Sequence, residues 1–130
     1  MILTLPDPRT IANPYIGMPY GQADCWDLVR LLYREGFGVD LATDQLTAAE
    51  EFVEIWWHEQ GGDPLRLLRP WDLVIFAKLE TIPFARHVGI VTDGVMFVHA
   101  RASDGGVCLE RCRHWRPRLL QIARWRPLTA

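Results

Sequence analysis

His87-Val88-Gly89-Ile90-Val91-Thr92-Asp93-Gly94-Val95-Met96-Phe97-Val98-His99 is a pair of short β-branched runs around a turn, with a histidine at each outer end. Runs of this composition and length predict two antiparallel strands joined as a hairpin. The turn decides whether the histidines meet. A two-residue Asp93-Gly94 turn would pair Thr92 with Val95 and send the imidazoles to opposite faces, because strand side chains alternate. A three-residue loop, Thr92-Asp93-Gly94 closed by Gly94 in the left-handed conformation, would pair Val91 with Val95 and set His87 directly opposite His99. Glycine stands where that loop asks for it, so the three-residue loop is the expectation. Opposed residues hold their Cβ atoms about 4.5–5.5 Å apart, close enough for one imidazole to orient the other.

Outward from the hairpin, Leu73 to Phe76, Val107 to Glu110 and Leu119 to Trp125 are further short runs rich in β-branched and aromatic residues. With the hairpin they predict an antiparallel sheet of about five strands. Upstream, Asp24 is a good N-cap, and Cys25, Leu28, Val29 and Leu32 follow at the spacing of one buried helical face, with Gly36 or Gly38 as the stop. Thr47-Ala48-Ala49-Glu50 has the form of a capping box, and Ala49, Phe52, Val53 and Trp56 give a second helical stripe ending at Gly61-Gly62. Residues 6–20, with Pro14, Gly17 and Pro19, read as irregular. Helices first and strands afterwards predict an α+β fold, with the N-terminal helices packed on one face of the sheet.

A chain of 130 residues with 49% hydrophobic and 23% charged residues can bury a core, and 1–130 is expected to form a single domain. Its net charge of −2 argues against affinity built on coating nucleic-acid phosphates. Charge is unevenly placed: eight acids and no Lys or Arg lie between Glu35 and Asp63, whereas Arg111 to Arg126 holds six Arg and no acid. The arginines interleave with Trp115 and Trp125, which is read as a solvated strand face protecting a sheet edge. The N-terminus lacks a secretory signal pattern, so synthesis in a cytoplasm is expected, and no apolar run approaches the roughly 20 residues that span a bilayer.

Three cysteines are too few for a disulfide framework and are read as free thiols. A thiol attacks as thiolate, and its pKa falls at a helix N-terminus beside an imidazole. Cys25 meets the first condition from its position in the first turn, where backbone N–H groups lack helical partners. A cysteine on an apolar helix face is by itself more often core than nucleophile; a pair of histidines in register shifts the balance. The chemistry that fits is Cys25 as nucleophile, His87 as base and His99 as the group fixing the tautomer of His87, all in one cleft. Cys108, Cys112 and His114 invite a zinc reading, but two cysteines four apart on a strand stand about 13 Å apart and a fourth ligand is missing. No metal and no cofactor is expected.

Tyr15-Ile16-Gly17-Met18-Pro19-Tyr20, Asp24-Cys25, Trp71 to Phe76, His87 to Val91 and Phe97-Val98-His99-Ala100 together resemble, in order, the signatures of the NlpC-type cell-wall cysteine peptidases. The resemblance implies a papain-like fold and a triad falling on Cys25, His87 and His99, with Tyr20 near the thiol. It implies hydrolysis of an amide bond in peptidoglycan stem peptides. The family usually reads Asp-Cys-Ser-Gly where this chain has Asp24-Cys25-Trp26-Asp27, which puts Asp24 and Trp26 where substrate should touch. The segment from Asp24 to Arg30 is similar to short versions encoded in phage tail modules, implying a tail or virion setting and other tail proteins as partners. A silent tail-assembly protein on the same fold, and a CHAP-type amidase cutting the sugar–peptide linkage, stay open as alternatives.

Overall fold

Among the residues described by the computed structural model, 4–19, 21, 24–77, 86–101 and 105–129, six segments are strands of one antiparallel sheet. They are β1 (Phe52–Trp57), β2 (Leu73–Ala77), β3 (Arg86–Val91), β4 (Met96–Arg101), β5 (Gly106–Arg111) and β6 (Leu119–Trp125), ordered β1-β6-β2-β3-β4-β5. The helices are α1 (Pro8–Ala12), α2 (Cys25–Phe37), α3 (Gln45–Ala48) and α4 (Cys112–Trp115). α1 packs on α2, and α2 packs on β3 and β4, so the α+β arrangement follows expectation. No helix of the described residues is long and apolar enough to cross a membrane.

α2 carries its apolar stripe of Cys25, Leu28, Val29 and Leu32 into a cluster with Val88 and Ile90 of β3 and Val98 and Ala100 of β4. It ends where Gly38 takes φ 70°, a left-handed cap that favours glycine. The opposite face of the sheet buries Val74, Phe76, Val91, Phe97 and Ile122 beneath Trp56, Leu68 and Trp115. Trp56 reaches that face although Phe52, four residues earlier, lies on the other. A bulge between Glu54 and Trp56 inserts the extra residue that reverses the alternation.

Three expectations need correction. The second helix stops after one turn: α3 is capped by Asp44, and Phe52–Trp57 is a strand paired with β6. Its Phe-Val-Glu-Ile-Trp-Trp composition suits a pleated surface better than a helix, and pairing satisfies its backbone. Within the leading segment taken as irregular, Asp7 caps the short helix α1. Finally, β6 is not an edge, since it lies between β1 and β2, and Arg124 is 8% exposed rather than solvated. Its Nε and one terminal nitrogen each donate to Asp72 at 2.8 Å. Arg116 lies over Trp56, and Arg118 over Trp115, so much of the Arg cluster is spent inside this fold on aromatic faces.

Asp72 follows a strained residue. Trp71 has φ 77°, a rare conformation for a bulky side chain, and is fully buried. Its backbone N–H donates to Val91 O at 2.8 Å, its Nε1 donates to Pro6 O at 2.8 Å, and its carbonyl accepts from the Tyr33 hydroxyl at 2.6 Å. These bonds join the α2 layer to the start of β2 and the end of β3, which fixes the hairpin relative to the helix that carries Cys25.

Candidate active site

The start of α2 is closed by a reciprocal cap. Asp24 Oδ1 accepts from the Asp27 N–H at 2.8 Å, and Asp27 Oδ2 accepts from the Asp24 N–H at 3.4 Å. Cys25 therefore occupies the first helical position, buried, with its sulfur on the side of the sheet that α2 covers. Trp26 donates its indole N–H to Ala42 O at 3.0 Å and lines a cavity of about 150 Å³ with Phe52, Leu73, Ile75 and Gln121. Tyr20 lies outside the described residues.

The hairpin brings the two histidines together by a different register from the one expected. Val91 pairs with Phe97 and Ile90 with Val98, and Thr92 N–H donates to Met96 O at 2.9 Å, so the loop is Asp93-Gly94-Val95. Asp93 closes it, its Oδ1 accepting from the N–H groups of Val95 and Met96 at 2.7 and 2.8 Å, and Gly94 is not among the residues with positive φ. An aspartate that caps the turn does the work expected of a left-handed glycine. The register slides by two residues, which preserves parity. His87 and His99 thus stay on one face, diagonal rather than directly opposed, with His87 Nε2 and His99 Nδ1 2.6 Å apart. Gly89 makes the diagonal possible: a Cβ there would stand 2.6 Å from Phe97 Cδ2 and 3.2 Å from His99 Cβ.

The ring pair is packed among aromatics. Phe76 stacks against His87, Phe97 lies 4.4 Å from His99 between centroids, and Trp115 is 5.4 Å from His87 and 5.1 Å from His99. These contacts lie on the face away from α2, whereas Cys25 packs with Val88, Ile90, Val98 and Ala100, the neighbours that alternate with the histidines. His87 is the second residue of β3, and so stands near the strand's leading end.

Burial, then the neighbouring His87 and then the Arg101 charge push His99 from its ordinary 6.5 down to about 2. His99 is therefore neutral while the protein is folded. Once unfolded it takes up a proton as pH falls through 6.5, so stability is lost as pH falls from there toward 2. The slope reaches about 1.4 kcal/mol per pH unit. Urea unfolding is expected to show the wild type losing about 1–2 kcal/mol more than His99→Gln between pH 7 and pH 5. Equal losses would show that this imidazole is not kept neutral by the fold.

Sequence reasoning missed the far side of His99. Pairing of β4 with β5 sets Cys108 opposite His99 and Glu110 opposite Phe97. His99 Nε2 stands 3.6 Å from Cys108 Sγ and 3.4 Å from Glu110 Oε2. Arg101 donates to Glu110 Oε1 at 3.0 Å, and the Trp115 indole N–H donates to Glu110 Oε2. The alternation of Val107, Cys108, Leu109 and Glu110 was the available signal. The ligating atoms of His99, Cys108 and Glu110 all lie within 4.8 Å of one another, a donor set that suits zinc. Both oxygens of Glu110 already serve Arg101 and Trp115, however, so the group is also complete as a hydrogen-bonded cluster.

The NlpC/P60 family model matches residues 13–124. Among solved structures, the chain is similar to a Staphylococcus aureus protein described as similar to lipoprotein, NLP/P60 family, with a TM-score of 0.66 and 22% identity, covering 92% of this chain and 40% of that one. It is also similar to the NlpC/p60 domain of the peptidoglycan hydrolase SagA, with a TM-score of 0.62 and 20% identity over 91% of this chain and 95% of that one. NlpC2 from Trichomonas vaginalis gives a TM-score of 0.68 and 19% identity over 96% and 48%. At these identities the likeness is one of fold, and the chain spans only 40% of the Staphylococcus aureus protein's length. Comparison with curated proteins gives no match.

Proposed function

Because the chain belongs to the NlpC/P60 family, we propose that it is a cysteine peptidase hydrolysing an amide bond in peptidoglycan stem peptides. The observation that carries the proposal is the 2.6 Å contact between His87 Nε2 and His99 Nδ1 in a chain whose adjoining helix starts at Cys25. One nitrogen of His87 is thereby engaged by His99, and Nδ1 is proposed as the base. The described fold of the SagA peptidoglycan hydrolase domain supports the substrate class.

In the proposed reaction His87 Nδ1 takes the Cys25 thiol proton and the sulfur attacks the amide carbonyl carbon. Backbone N–H groups at the start of α2 face the oxyanion, with Tyr20 as a further donor. The C–N bond then breaks, His87 returns the proton to the leaving amine, and a thioester remains. Water attacks that thioester, giving the carboxylic acid and restoring the thiol. Asp24 is proposed to meet substrate beyond the cap, and Trp26 to form one wall of the binding cavity. The meeting of sulfur and imidazole is assigned to the leading end of β3, where His87 stands.

The test is mass spectrometry of fragments released from purified peptidoglycan by the wild type and by Cys25→Ala. New amine and carboxyl ends within stem peptides, absent with Cys25→Ala, are the expected result. Release at the sugar–peptide linkage would instead identify a CHAP-type amidase, and no release by either protein a silent assembly protein. If the chain works in a phage tail, as the resemblance of residues 24–30 implies, purified tails release the same fragments.

A further inference from the structure

We infer that Glu110 sets the direction of the hydrogen bond between the two imidazoles, acting through His99 as a positioning residue. A contact of 2.6 Å between two ring nitrogens admits two arrangements, because either imidazole can be the donor. With the proton of His99 on Nε2, its Nδ1 accepts from His87 Nε2–H, and His87 Nδ1 carries no proton. With the proton of His99 on Nδ1, that nitrogen donates to His87 Nε2, and neutral His87 carries its own proton on Nδ1. Only the first arrangement leaves a base at the nitrogen that His99 does not touch.

The choice is made at His99 Nε2. Among the described residues two groups face it there, Glu110 Oε2 at 3.4 Å and Cys108 Sγ at 3.6 Å. A thiol can donate or accept, so Cys108 permits both arrangements. A carboxylate can only accept, and Glu110 is held in that role by two groups that can only donate, Arg101 at Oε1 and the Trp115 indole at Oε2. Arg101 is itself fixed over the Trp115 ring, 4.9 Å from its centroid. The negative charge beside Nε2 draws the His99 proton to that nitrogen, and full burial of the ring excludes water that could substitute. The neutrality of His99 is what lets a single proton carry this information.

Long-range nitrogen–proton correlation NMR of the ring nitrogens tests the arrangement in the free protein, beside kinetics on wall fragments. The wild type is expected to show His99 protonated at Nε2 and His87 at Nε2. Glu110→Gln, of equal shape but able to present an N–H, is expected to convert part or all of His99 to the Nδ1–H form. Its kcat is expected to fall roughly 10- to 100-fold with KM little changed. Cys108→Ala is expected to keep both the tautomer and the rate. A wild-type His99 protonated at Nδ1 overturns the assignment whether or not any variant folds, and so does a Glu110→Gln protein with unchanged tautomer and kcat. The kinetic consequence rests on the hydrolase reading above; the proton arrangement does not. Wall hydrolysis that survives Cys25→Ala would therefore sink the former and leave the NMR result to stand or fall alone.

Discussion

Cys25→Ala and His87→Ala are each expected to lower the rate of wall hydrolysis by on the order of 10⁴-fold or more, and the double variant no further. A nucleophile and its base act as one unit, so removing either removes the covalent pathway. The residual rate should be that of substrate held beside water. The geometry makes the pairing of the two the point to test, because the His87 ring contacts lie on the sheet face away from α2 while Cys25 packs on the near face. If sulfur and imidazole meet at the leading end of β3, the thiol should react with iodoacetamide near neutral pH faster than Cys112, which burial pushes up to about 12. That advantage should vanish in His87→Ala. A Cys25 whose alkylation rate ignores His87 would mean that the two do not pair, and the covalent mechanism would lose its base.

Much of this arrangement was legible before any coordinates. α2, its Asp24 cap and the Cys25 stripe are local features, set by capping chemistry and a 3.6-residue period. The shared face of His87 and His99 was also legible, because it depends on parity, and parity survived an error in register. The register itself was not, since Asp93 and Gly94 both suit a turn and only the completed loop shows Asp93 Oδ1 binding two N–H groups. β1 was misread because Ala49, Phe52, Val53 and Trp56 satisfy a helical spacing, and only the β6 partner, nearly seventy residues away by contact of Glu54 with Gln121, decides otherwise. Glu110 was invisible for a similar reason. It becomes part of the site through β4–β5 pairing and the fold of Trp115 back over the sheet.

Asp72→Ala is expected to cost about 3–5 kcal/mol of stability, the largest loss expected from a single substitution away from the reacting groups. Asp72 is 1% exposed and accepts from Arg124 through both oxygens, and its Oδ2 also accepts from the Arg69 N–H at 3.0 Å. Truncation leaves a buried guanidinium without its counter-charge, bonded among the described residues only to Leu67 O. It also loosens the backbone next to Trp71, whose left-handed φ has to be held against a cost of about 1–3 kcal/mol. With total stability for a domain of this size at about 5–15 kcal/mol, the variant should be marginal and melt roughly 10–20 °C lower. Replacing both partners, as in Asp72→Leu with Arg124→Met, should cost less than Asp72→Ala alone, because no charge is then stranded. Urea unfolding of the three proteins decides it. A loss under about 1 kcal/mol in Asp72→Ala would place the pair among solvent-exposed bridges, and a double variant at least as unstable as Asp72→Ala would mean that the loss does not come from an orphaned charge.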